Sequence, residues 1–159
     1  AMQLILKRNS NAKLIIIGDG EERDRLRKLS NNLNLDNNVT FAGRQMNVAD
    51  YHAKASCQVL TSHYEGFPLA LVEACANGVP MVSFDGPSGP RDAITHGENG
   101  FIAPQYDVQA LADAIVKALN MDWNREYIRA SASQFKTEVV KEKYLKFIQD
   151  LFDTQRQLS

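Results

Sequence analysis

Between residues 14 and 104, short apolar runs alternate with amphipathic stretches. Leu14-Ile15-Ile16-Ile17 ends at Gly18-Asp19-Gly20, and residues 21–35 then place Leu26, Leu29 and Leu33 on one helical face, so the order is strand, turn, helix. Further strands are predicted over residues 39–42, 57–60, 80–84 and 100–102, with helices over 48–54, 68–77 and 91–96 between them. These strands are rich in apolar residues rather than alternating, which indicates a parallel sheet with helices on both faces. After Pro104 the pattern turns helical, over 108–119, 125–135 and 137–152. The expected fold is a doubly wound, Rossmann-like α/β domain spanning residues 1–159. Its α/β core covers 12–105 and its helical tail 106–159.

The beginning departs from this order. Residues 2–8 read as the last turns of a crossover helix closed by Asn9-Ser10-Asn11, and a crossover helix implies an earlier strand. In doubly wound sheets the first strand is usually central. The expectation is therefore a fragment whose first strand is missing, with Ala1 before Met2 as the scar of a cleaved tag. A gap should lie between the 14–17 and 57–60 strands. It must close, be filled by another segment, or drive homodimer formation through an exposed sheet edge.

Composition narrows the function. With 18 Lys+Arg against 19 Asp+Glu, the formal charge is −1, so no basic excess favours nucleic acid or an anionic membrane. Cys57 and Cys75 lie in apolar contexts and read as buried thiols of a reducing compartment; no zinc-ligand spacing occurs. The weakly charged stretch 66–84 is broken by Asn77-Gly78 and Pro80, so it is not a membrane span, and the expected location is the cytoplasm.

Candidate chemistry concentrates in Thr61–Pro80, TSHYEGFPLALVEACANGVP. Pro68 suits a helix's first position, and Gly78 closes that helix. Glu73 is the only charged residue from Gly66 to Phe84, on a helix whose other positions are almost all apolar, which predicts burial nearly all round. A carboxylate buried there costs several kcal/mol, on the order of an unpaired buried charge, unless an ion pair, a cap or a ligand satisfies it. Ligands of doubly wound sheets bind at the carboxyl ends of strands, beside helix starts whose free N–H groups attract anions. Glu65 lies in such a loop. The amides of Gly66, Phe67, Leu69 and Ala70 should gather beside it, and Glu65 and Glu73 can accept hydroxyl pairs at two places on one ligand. A polyhydroxylated ligand carrying phosphate fits both features.

Glu65-Gly66-Phe67-Pro68-Leu69-Ala70-Leu71-Val72-Glu73 resembles the Glu, seven residues, Glu signature of retaining family-four glycosyltransferases, the group 1 type with a two-domain GT-B fold. LIIIGDG (14–20), VTFAG (39–43), NGVPMV (77–82), GPSGPRDAI (86–94) and GENGFIAP (97–104) resemble further family segments in order and spacing. The resemblance implies the C-terminal domain, which binds the nucleotide sugar. Glu65 then contacts the donor sugar as the catalytic-site carboxylate, Glu73 takes the ribose hydroxyls, and Gly66 to Leu69 hold sugar and diphosphate. Gly18 and Gly20 let the backbone approach the nucleotide, and Arg44 lines the base. Gly89-Pro90-Arg91 resembles members using UDP-hexoses or UDP-N-acetylhexosamines on glycan, lipid-linked or protein acceptors. The nucleotide sugar is a co-substrate; neither a cofactor nor a metal is implied.

Two departures limit what the chain alone should do. The family's basic Gly-Arg…Lys segment, which neutralises the leaving diphosphate, has no counterpart, and the N-terminal acceptor domain is missing. The latter would also carry any membrane association. The fragment is expected to be inactive and to bind nucleotide sugar weakly. Alternatives are a non-catalytic nucleotide-binding or interaction module and a GT-B sugar-nucleotide epimerase. Gly18-Asp19-Gly20 reads better as a structural turn than as a dinucleotide fingerprint, because Arg23 stands where a third glycine belongs. His63 reads as a packing or hydrogen-bonding residue. The stripe Val139, Val140, Tyr144, Phe147, Ile148 and Leu151 reads as helix core or a docking surface.

Overall fold

The computed structural model describes residues 1–157, with side chains through Thr154. Five parallel strands form two separate sheets. β1 (Leu14–Ile17) pairs with β2 (Val39–Gly43), with an irregularity between Ile16 and Ile17. β3 (Gln58–Leu60), β4 (Met81–Phe84) and β5 (Gly100–Ala103) pair in the order β3-β4-β5. No hydrogen-bonded ladder joins β1 to β3 among the described residues, so the break falls at the expected gap.

The helices are α1 (Met2–Leu6), α2 (Arg23–Asn32), α3 (Ala49–His52), α4 (Leu69–Ala76), α5 (Pro90–Ala93), α6 (Val108–Asn120), α7 (Arg125–Ser131) and α8 (Thr137–Gln157). A 3₁₀ turn, Ala132–Phe135, links α7 to α8 and takes the last four residues of the helix that the apolar pattern predicts over 125–135. Several helices are shorter than expected. α2 starts late because Asp19 organises the preceding turn, accepting from its neighbour Gly20 N–H at 3.0 Å and pairing with Arg23 at 3.1 Å. Arg23 thus has a structural reason to stand where a fingerprint glycine would. α5 stops after Ala93 because the Asn99 side chain takes the Thr95 N–H at 2.8 Å and donates to Ala93 O at 3.0 Å, turning the chain toward β5.

β4 is buried at all four residues, as a strand covered on both faces must be. Its alternate side chains feed two cores. Val82 and Phe84 join Phe101 and Ala103 of β5 against Leu111, Ala112, Ile115 and Ala118 of α6, with Ile5 of α1 added. Met81 joins Leu71, Ala74 and Cys75 of α4, Ile94, and Ile128 of α7. α6 is capped by Asp107, whose carboxylate accepts from Ala110 N–H at 2.8 Å, and α7 by Asn124, which accepts from Tyr127 N–H at 3.0 Å. The helices after residue 105 therefore supply part of the core. By contrast Ile15 of β1 is 49% exposed, because the gap leaves the β1–β2 pair thinly covered. The two thiols also differ: Cys75 is buried, Cys57 only half-buried, and burial pushes the Cys57 thiol up to about 11. No helix among the described residues is long and apolar enough to cross a membrane.

Candidate functional site

The loop from Thr61 to Pro68 leaves the carboxyl end of β3 and is held by the loops that leave its neighbours. Ser88, after β4, donates its hydroxyl to Glu65 O at 2.6 Å. Gln105, after β5, donates its amide to His63 O at 3.1 Å, and the His63 ring faces Tyr106 at 5.3 Å between centroids. Phe67 meets Phe135 edge to face at 5.5 Å. Gly89 adopts φ +93°, and a Cβ there would sit 2.9 Å from Pro68 Cδ and 3.4 Å from Glu65 Cβ. This close approach explains the glycine: the β4 loop lies directly against the Glu65 loop. Gly89→Ala is expected to push the two loops apart, lowering the melting temperature by a few degrees and broadening the Glu65 and Gly66 amide signals in an NMR spectrum.

α4 follows, with two corrections to the expected geometry. Pro68 is the residue before the helix (φ −82°, ψ 72°) rather than its first turn, and it is fully buried. Glu73 is exposed, not buried. α4 presents Leu71, Ala74 and Cys75 to the core, and leaves Leu69, Glu73 and Ala76 outside, with Leu69 63% exposed. Positions 69, 73 and 76 form one exposed helical stripe, so no burial penalty falls on the carboxylate. A helix this uniformly apolar does not announce which face meets the core.

The local hydrogen bonding leaves a distinct set of groups available. The carboxylates of Glu65 and Glu73 have no ion-pair or hydrogen-bond partner among the described residues; only their main-chain oxygens accept, from Ser88 and from Asn77. The N–H groups of Gly66, Phe67 and Ala70 have no backbone partner among the described residues, whereas the Leu69 N–H is taken by Phe67 O at 2.9 Å. Leu69 thus does not offer the free amide expected of it in this conformation. The space a side chain would fill at Gly66 is open. Two acceptor-only carboxylates and several free donors lie on one loop–helix unit, a combination suited to hydroxyls and an anion on one ligand.

The other candidates lie at the carboxyl ends of β1 and β2. Gly18 follows β1 at φ +126° and donates its N–H to Gly43 O at 2.8 Å, tying the two loops together. Gly20 borders open space, and Arg44, past β2, is exposed. His52 and His96 are structural. His52 is buried beside Asn77, and His96 Nδ1 accepts from Ile102 N–H at 3.2 Å. Among the described residues no group of three or more His, Cys, Asp or Glu could hold a metal ion. A cleft of about 510 Å³ beside the Glu65 loop is lined in part by His63, Asp85, Arg91 and Tyr106. Arg91 grips Asp85 through two bonds of 2.7 and 2.6 Å, and this hydrogen-bonded guanidinium holds the Asp85 carboxyl below its ordinary range. Ser88, Gly89 and Gln105 were not legible as supports of the site; the only signal was a glycine just before Pro90.

Comparison with known proteins bears on the family and the fold. The chain is 37% identical over 119 residues to the poly(glycerol-phosphate) alpha-glucosyltransferase of Bacillus subtilis (strain 168), an overlap of 75% of this chain and 18% of that protein. Its fold matches a lipopolysaccharide outer core galactosyltransferase, WaaB in its apo form, with a TM-score of 0.81, 24% identity and coverage of 94% of this chain and 44% of that one. It also matches a Staphylococcus aureus TarM mutant, crystallised with fondaparinux, alpha-GlcNAc-glycerol and UDP, with a TM-score of 0.78, 28% identity and coverage of 91% and 30%. The chain thus spans less than half the length of each. The family model described as glycosyl transferases group 1 matches residues 1–135, nearly the whole α/β body from α1 to the 3₁₀ turn. With that match laid over the Glu65–Glu73 unit and the parallel sheets that carry it, the chain belongs to the glycosyl transferases group 1 family and has the Rossmann-like fold of GT-B glycosyltransferases.

Proposed function

We propose that this chain is the donor-binding half of a retaining glycosyltransferase, which moves a hexose or N-acetylhexosamine from a UDP-sugar to a glycan, lipid-linked or protein acceptor. The observation that carries this reading is the pair of carboxylates, Glu65 and Glu73, left without protein partners beside the free amides of Gly66, Phe67 and Ala70. The TarM structure, crystallised with UDP, supports the nucleotide.

In this reading Glu65 holds hydroxyls of the donor sugar at the reacting end, and Glu73 holds the ribose. The amides between them donate to the diphosphate, with Gly18 and Gly20 against the nucleotide and Arg44 beside the base. Hydrogen bonds from helix-start amides to phosphate do not require a metal. Transfer needs positive charge aimed at the departing diphosphate, and one such donor is worth about 10²–10³ in rate. The chain's one Gly-Arg pair, Gly43-Arg44, lies at the end of β2 and is placed beside the base rather than at the diphosphate, so the chain alone is expected to bind the donor weakly and not to turn it over.

Incubation with labelled UDP-sugars and product analysis tests this. The expected result is no glycoside and no free sugar above background. Clear transfer by the 159-residue chain overturns the expected inactivity, and an epimerised UDP-sugar overturns the transferase reading.

A further inference from the structure

The cleft beside the Glu65 loop has one wall that packing does not explain. Tyr106 sits at φ +65°, third in the turn that the Asp107 N–H closes on Pro104 O at 3.1 Å, a position where a positive φ calls for Gly or Asn. The other described non-glycine residue at positive φ is Asn34, a type that tolerates it. A bulky residue in this conformation costs stability, and the Tyr106 ring does not offset that cost by burial. Tyr106 is 61% exposed, its hydroxyl has no hydrogen-bond partner among the described residues, and its aromatic contact is with the exposed His63.

The same cleft holds the Asp85–Arg91 pair. Its bidentate grip uses two of the guanidinium's five N–H donors, so three remain free among the described residues, and each Asp85 oxygen keeps a lone pair. Acceptors and donors thus lie side by side. Two neighbouring hydroxyls of a sugar meet such an edge by donating to the carboxylate and accepting from the guanidinium. A phosphate is a poorer match, because the Asp85 carboxylate, which Arg91 keeps ionised, repels it. A sugar ring also has a face of C–H groups, which an exposed aromatic ring can cover. At about 510 Å³ the cleft has the size of a small-ligand site. It lies at the ends of β4 and β5, next to the Glu65 loop, whereas the nucleotide is assigned to the ends of β1 and β2. A ring that adjoins a donor sugar held at Glu65 is the acceptor's.

We propose that this cleft is a saccharide subsite, in which one sugar ring of the acceptor lies on Tyr106 and its hydroxyls bind the Asp85–Arg91 pair. The assignment to the acceptor rests on the donor-binding reading, whereas the affinity for a sugar ring does not. A single ring makes few contacts, so it binds with a dissociation constant roughly in the millimolar range.

Chemical-shift mapping of the 159-residue chain with the methyl α-glycosides of glucose, galactose and N-acetylglucosamine tests the proposal, with UDP and inorganic phosphate as separate arms. The expected result is saturable shifts at His63, Asp85, Arg91 and Tyr106 with at least one glycoside, unchanged when UDP is also present. Tyr106→Asn should abolish that response without lowering the melting temperature, since Asn tolerates the positive φ. The proposal is overturned if none of the three glycosides moves these signals, or if phosphate moves Arg91 and no glycoside does. It is also overturned if the shifts fall on Glu65 and Gly66 instead, which would make the glycoside a donor-site ligand. A Tyr106→Asn variant that keeps the response, or melts several degrees lower, would make Tyr106 a packing residue and overturn it too. Glycoside shifts in the cleft with no UDP response at residues 65–73 would uphold the sugar site and overturn the donor-binding reading together with the assignment to the acceptor.

Discussion

Glu73→Ala is expected to weaken UDP binding by about ten- to a hundredfold and to leave the melting temperature unchanged. A hydrogen bond to a charged group is worth about 1.5–3 kcal/mol, and 1.4 kcal/mol is a factor of ten in affinity. The unchanged stability follows from the exposure of Glu73 and its lack of a protein partner. Titration calorimetry and thermal melting of the same variant separate the two roles. A large loss of stability with intact binding would make Glu73 a structural residue and remove it from the site.

The largest effect on stability is expected at Gly100. It pairs with Met81 across β4 and β5, and a Cβ there would sit 2.1 Å from Met81 O and 2.9 Å from Met81 C. Neither atom is a side-chain end that can swing away; both belong to the buried central strand. Gly100→Ala therefore has to push β5 off β4, opening the core that Phe101 and Ala103 share with α6. Overpacking of a well-packed core costs about 1–3 kcal/mol where side chains can shift, and more is expected where backbone must move. For a chain of this length that is a fall of roughly 10 °C in melting temperature, measurable by circular dichroism. A fall of under 2 °C would mean that the β4–β5 register differs from the one described.

The strands were legible because each is a short run rich in apolar residues, four of the five bounded by Gly, Pro or Asn, and the gap was legible from the order of elements alone. Helix ends were less so, because tertiary hydrogen bonds set them: Asn99 ends α5, and Asp19 delays α2. At the site, the spacing of Glu65 and Glu73 and the loop-to-helix position were readable from residues. The exposure of Glu73 was not. In Leu69–Ala76 seven of eight residues are apolar, so the pattern carries no contrast to mark the inward face. The choice falls to the partners, and Met81, Ile94 and Ile128 take Leu71, Ala74 and Cys75. The supports from Ser88 and Gln105 cross between loops of different strands and leave no periodic trace. α8 showed its stripe in the sequence, but the exposure of Lys141 through Thr154 shows only in the structure.

The central claim is that one loop–helix unit, residues 65–73, holds a nucleotide sugar. Amide chemical-shift mapping of the 159-residue chain with UDP and, separately, NAD tests it most directly. The predicted result is UDP-dependent shifts confined to residues 65–73, to the Gly18–Gly20 turn and to Arg44, with no response to NAD at the same concentration. Equal responses to UDP and NAD, or UDP shifts that leave residues 65–73 untouched, would contradict it.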